Sequence, residues 1–111
     1  MKIMMINEQH QKYDLSCEFD ALDFLKTHPQ LLPVLLETIQ QLRKCYFNNI
    51  ELNFHLECFF DDENIKLSLI VICGLDIQSV LSRLQSFDYD YWLKVDRSIR
   101  DLMMVDVSCQ R

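Results

Sequence analysis

The chain is nearly empty of the residues that build irregular structure. It has one glycine, Gly74, and two prolines, Pro29 and Pro33, in 111 residues. Long Gly- or Pro-rich linkers are excluded, and so is a glycine-rich loop that would cradle a phosphate. A Gly-x-Ser-x-Gly elbow needs two glycines, so that setting for a nucleophilic serine is absent. Apolar runs are short. The longest, residues 69–73, falls far below the length of a membrane span. The opening residues 1–6 turn polar at Asn7, before they could make the apolar core of a signal peptide.

Cysteine is not scarce, but its arrangement is uninformative for metal or redox chemistry. The five are Cys17, Cys45, Cys58, Cys73 and Cys109, an odd number with no C-x-x-C pair. Neither a zinc ribbon nor a thioredoxin-type motif is supported. The expectation is free thiols in a reducing compartment, hence a cytoplasmic protein. Positive charge is also short: 11 Lys and Arg stand against 17 Asp and Glu, for a net charge of −6. That balance repels nucleic-acid phosphates and anionic membranes at long range. The basic stretches, Arg43-Lys44 and the spaced Lys94, Arg97 and Arg100, are too sparse for a nucleic-acid footprint. We expect no nucleic-acid and no membrane partner. The acidity suits a basic protein partner or an ordinary solvated surface.

Half of the residues are apolar and a quarter are charged, as in one packed domain. Residues 1–16 read as an N-terminal arm in which 2–6 can form a short strand. Residues 7–16 are polar, and His10 lies among them. Residues 17–111 read as a single α+β domain. Residues 21–26 form a short helix that ends near His28-Pro29, because a residue before proline avoids the helical basin. Pro33 then fits the first turn of a longer helix. Leu35, Leu36, Ile39, Leu42 and Tyr46 recur along it at helical spacing. After Asn48-Asn49 the period becomes two: Ile50, Leu52, Phe54, Leu56 and Cys58 alternate with polar residues. The turn at residues 61–64 and a second apolar run, 65–73, complete a β-hairpin. Asp76 is the expected N-cap of a second amphipathic helix carrying Ile77, Val80, Leu81, Leu84 and Phe87. Asp88 is a candidate cap for a further short helix with Tyr91, Trp92 and Val95. Residues 102–109 make the last strand.

The order is (β)αββαβ. It predicts an α+β fold in which two helical regions cover one face of a mostly antiparallel sheet of three or four strands. With residues 2–6 as a strand the pattern is that of ferredoxin-like folds, in which a right-handed crossover leaves a gap for another strand. The uncovered face then shows Glu51, Asn53, His55, Glu57 and Phe59 on one strand. Lys66, Ser68, Ile70 and Ile72 follow on the next, and Met104, Asp106 and Ser108 on the last. Phe59, Ile70, Ile72 and Met104 are candidates for an apolar interface on this face, either in a homodimer or with another protein. The alternative is that the N-terminal arm or a loop covers them.

One polar constellation could carry chemistry: His55 with Glu51, Glu57 and Asp106. Alternate strand residues lie close enough to share a metal ion or a proton. Set against it is a solvated face with charge pairs to Lys66. No catalytic, cofactor or metal residue is expected, and a His55-centred metal or acid–base enzyme is the lesser alternative. In residues 88–92, aromatics ringed by acids suit a protein-binding hot spot, with Tyr89 and Tyr91 as interface candidates and Trp92 in the core.

Two segments, residues 24–37 (FLKTHPQLLPVLLE) and 87–93 (FDYDYWL), resemble a family of small, largely uncharacterised bacterial proteins common in cyanobacteria. The resemblance spans about residues 20–107. The chain departs from that pattern with Tyr91 where a second tryptophan is usual and with no proline after Phe47. The resemblance implies the same helix–hairpin–helix–strand order and an antitoxin-like partner, and it carries over no catalytic residue. The function expected is a non-enzymatic protein-interaction module, antitoxin-like. A structural homodimer through the open sheet face is the alternative.

Overall fold

The computed structural model describes residues 2–6 and 12–109, with side chains from residue 15 to residue 108. Among them are five strands in one sheet: β1 (Lys2–Ile6), β2 (Lys12–Cys17), β3 (Asn53–Asp61), β4 (Asn64–Cys73) and β5 (Met103–Cys109). Between β2 and β3 run α1 (Phe19–Thr27) and α2 (Leu31–Gln41), the latter prolonged by a π-turn, Leu42–Tyr46. Between β4 and β5 run α3 (Ile77–Asp90), a 3₁₀ turn (Trp92–Lys94) and α4 (Arg97–Arg100). No helix among the described residues is long and apolar enough to cross a membrane.

The local signals explain most boundaries. α1 stops at His28, whose backbone N–H donates to the Phe24 carbonyl and whose ring stacks on Phe24 at 4.3 Å, just before Pro29. Pro33 sits in the first turn of α2, where its missing N–H breaks no helical bond. Asp76 caps α3 by accepting from the Ser79 N–H at 3.2 Å. The further cap is Asp96, which accepts from Ser98 N–H. Asp88, expected in that role, lies inside α3, because the apolar stripe carries the helix past Phe87 to Asp90.

One element was invisible to a 3.6-residue period. The stripe Leu31, Leu35, Ile39 and Leu42 continues not to Tyr46 but to Phe47, which is fully buried while Tyr46 is half-buried. The Phe47 N–H donates to Leu42 at 2.8 Å, five residues back. The wider turn adds one residue and brings Phe47 beneath Leu42. The guanidinium of Arg83 secures this end, with Nη1 donating to the Tyr46 carbonyl at 2.8 Å and its carbon 5.8 Å above the Phe47 ring.

The core lies between the helices and one face of the sheet. Leu15 and Cys17 on β2, Phe54 and Leu56 on β3, Leu67, Leu69 and Val71 on β4, and Met103 on β5 all point into it. Leu31, Leu35, Ile39, Val80 and Phe87 close it from the helical side. Two helical regions on one face of a sheet place the domain in the α+β class.

Three expectations need correction. Residues 12–16, read as part of a polar arm, form β2 together with Cys17, and this strand pairs antiparallel with β1 and parallel with β3. Residues 7–11 of that arm, His10 included, lie outside the described residues. The sheet is mixed and not mostly antiparallel, since β2 pairs parallel with β3 and β4 parallel with β5. The strands follow sequence order with no strand interposed, unlike the interleaved ferredoxin-like arrangement. Both crossovers thus step to the adjacent position in the same direction across the sheet, along strands of opposite sense, with their helices on one face. Two such crossovers have opposite hands, so one of them departs from the right-handed rule. Burying both helical faces in one core outweighs the twist preference that underlies the rule.

Candidate functional site

The face of the sheet away from the helices is built in rows by strand register. Ser16, His55, Ile70 and Asp106 stand side by side on β2, β3, β4 and β5, as do Glu57, Ser68 and Met104 on β3–β5. Asn53, Ile72 and Ser108 form a third row, and Phe59 and Lys66 a fourth.

At one point on this face three ligating side chains converge. His55 Nε2 lies 3.6 Å from Glu18 Oε1 and 3.7 Å from Glu57 Oε2. One ligand atom from each of the three residues falls within 4.8 Å of the others. Glu57 reaches His55 because residues i and i+2 of a strand share a face. Glu18 reaches it because the chain leaves β2 still extended (φ −78°, ψ 155°), with the Glu18 N–H donating to the Leu56 carbonyl at 3.1 Å. That bond continues the parallel ladder one step and sets Glu18 beside Glu57.

The expected constellation is therefore only partly assembled. Glu57 is in place. Glu51 is not, because β3 begins at Asn53 and Glu51 precedes it, exposed. Asp106 is in the row of His55 but across β4, roughly 9–10 Å away by strand spacing. Its Oδ1 accepts from the neighbouring Val107 N–H at 2.8 Å. Lys66 pairs with Asp61 at 3.0 Å and not with a glutamate of the face. Glu18 went unnoticed because only the parallel β2–β3 pairing, which the sequence pattern did not reveal, brings it near.

The interface candidates are dispersed. Ile70 and Ile72 are half-buried neighbours on β4, and Met104 is exposed one row away. His55, Asp106, Ser68 and Ser108 break the apolar surface between and around them. Phe59 is separated from the isoleucines by Lys66 and Ser68 along β4. Tyr89 is 74% exposed on the last turn of α3. Tyr91 is not a surface anchor: its ring packs on Phe87 at 5.5 Å and its hydroxyl hydrogen-bonds Thr38 Oγ1 at 3.1 Å. Trp92 is half-buried, stacked 6.1 Å from Phe87.

A second feature lies on the helical side, where the β3–β4 hairpin runs beyond its cover. Phe60 is 76% exposed and its partner Ile65 47% exposed. With Phe24, Cys58 and Leu102 they line a groove of about 730 Å³ between α1 and the hairpin tip. Asp20, Asp23 and Glu63 also line it, and no Lys or Arg is among the lining residues. Burial pushes the Cys58 thiol up from its usual range, and the charges of Asp20, Cys17 and Glu18 push it further. The groove is thus apolar within and negative around.

Compared with known proteins, the chain matches no family model, no curated sequence and no solved structure.

Proposed function

We propose that this domain is a non-enzymatic interaction module whose groove between α1 and the β3–β4 hairpin takes a basic, apolar-edged segment of a protein partner. The observation that carries this reading is the lining of the groove: Phe24, Phe60 and Ile65 offer apolar and aromatic surface, while every formally charged lining side chain is a carboxylate. Exposed aromatics beside an apolar pocket are what anchors of a partner fill. A carboxylate rim favours Arg and Lys on that partner and speeds its approach. A net charge of −6 acts in the same sense. An antitoxin-like pairing with a basic toxin, the expectation attached to the bacterial family resemblance, is one form of this function.

The test is co-expression with the product of the adjacent gene, followed by titration of the purified pair. Ile65→Asp and Asp23→Lys should weaken the complex about tenfold or more, a loss of about 1.4 kcal/mol. Added salt should weaken it further. Ile70→Asp, on the other face, should leave it intact. A complex unaffected by the groove substitutions would overturn the proposal. A homodimer that Ile70→Asp dissociates would move the interaction to the open sheet face.

A further inference from the structure

We propose that Glu18, His55 and Glu57 form a three-ligand site for a divalent transition ion of the zinc class. The site is on the sheet face away from the helices and shares no residue with the groove, so it does not rest on the proposed interaction.

An imidazole Nε2 has one position to offer, either a proton or a lone pair. Two carboxylate oxygens approach that same atom, at 3.6 and 3.7 Å, and both distances are too long for hydrogen bonds. Around a tetrahedral ion with ligand bonds of 2.0–2.2 Å, neighbouring donor atoms stand about 3.3–3.6 Å apart. The 3.6 Å spacing stands at the top of that range and the 3.7 Å spacing just beyond it. A small inward motion of the glutamates would place all three donors on a common ion.

Charge supports the same conclusion. Among the residues whose side chains are described, 15–108, the ion-pair contacts of Glu18 and Glu57 are to His55, with no Lys or Arg. With a neutral imidazole, the cluster holds two negative charges for a dication to balance. The donor set selects the ion. Imidazole with carboxylates suits zinc and its first-row neighbours, whereas calcium and magnesium take oxygen ligands. Three protein donors leave the fourth position open to water or to a ligand from another molecule.

The scaffold is prepared for this. His55 and Glu57 are fixed on the central strand β3, and the Glu18 backbone is held by its bond to the Leu56 carbonyl whatever its side chain. Ile70 flanks His55 on β4, and the His55 side chain is only 24% exposed. The imidazole is therefore held while the carboxylates can adjust.

The experiment uses the full-length, reduced protein, freed of metal and titrated with zinc(II) by calorimetry and with cobalt(II) by absorption spectroscopy. One equivalent should bind. The cobalt spectrum should show visible d–d bands without the near-ultraviolet charge-transfer band of a thiolate. Glu18→Gln, His55→Asn and Glu57→Gln should each weaken binding about tenfold or more, at least as much as loss of an outer-shell partner does. Cys45→Ser should bind as the parent does. Circular dichroism of each variant keeps loss of a ligand distinct from loss of the fold. No binding by the folded parent would overturn the site. So would a thiolate band lost in a cysteine variant, or affinity indifferent to all three substitutions. In each of these cases the three side chains are neighbours on the sheet face and not a metal site.

Discussion

Tyr91 holds its hydroxyl 3.1 Å from Oγ1 of Thr38, joining the end of α3 to the buried side of α2 across 53 residues of chain. Thr38 is fully buried, and this bond is its side-chain link to the second helical region. The two halves of the helical layer are thus tied by a polar contact as well as by the packing of Phe87 against Tyr46 at 5.6 Å.

Removing that tie should be measurable. Tyr91→Phe is expected to cost about 0.5–1.5 kcal/mol in urea unfolding, the usual net worth of such a bond. Thr38→Val, made with Tyr91→Phe, should cost less than the two single changes together, because neither polar group is then left without its partner. Strict additivity would show that the two hydroxyls do not interact.

The cap of α3 should give the stability a pH dependence of known sign. The Ser79 N–H holds the Asp76 carboxyl below its ordinary range. A folded pKa lower than the unfolded one stabilises the fold above the unfolded carboxylate range, and this is lost as pH falls through the folded value. Asp76→Asn keeps a capping oxygen but cannot titrate. The Tm advantage of the parent over Asp76→Asn should therefore shrink between about pH 5 and about pH 3. A constant difference across that window would remove the charged cap from the account.

The cysteines should divide by reactivity. Cys45 is exposed, whereas Cys17 and Cys73 are buried, and burial also raises the Cys17 thiol. Thiolate fraction and access together set the rate of alkylation. Iodoacetamide should label Cys45 in the native protein and reach Cys17 and Cys73 only on unfolding, as read by peptide mass spectrometry. Native labelling of Cys17 as fast as that of Cys45 would mean that β2 does not pack as described.

Much of the fold was legible because the apolar residues keep strict time. The alternation of Phe54, Leu56 and Cys58 marked β3, and the turn at residues 61–64 marked the hairpin. Asp76 announced α3, and Pro29 and Pro33 divided the first helical region in two. β2 carried a period-two signal too, with Tyr13, Leu15 and Cys17 alternating with Lys12, Asp14 and Ser16, but polar neighbours hid it. Phe47 was hidden because its burial depends on a π-turn, which no 3.6-residue period anticipates. Strand order is not a property of any local pattern. The handedness rule, applied to a fold that breaks it once, predicted an interposed strand. The candidate site failed at the same point: His55 and Glu57 share a strand and were paired by spacing, whereas Glu18 depends on the parallel neighbour.

The opposite hands of the two crossovers bear on the order in which the molecule assembles. The β3–β4 hairpin closes over two residues, Asp62 and Glu63, with Asp62 in the left-handed region at φ 56°. Both parallel pairings must wait for the closure of far longer loops, residues 18–52 and 74–102. Local pairing precedes such closures. Growth is then expected to proceed outward from the hairpin, with amide hydrogen exchange slowest in β3 and β4 and faster toward both edges. Strand twist alone would send the second set of helices to the other side. In that order of assembly, the helices that dock first would supply the apolar surface that draws the second set to their own side, and the chirality of the later crossover would follow from its predecessor.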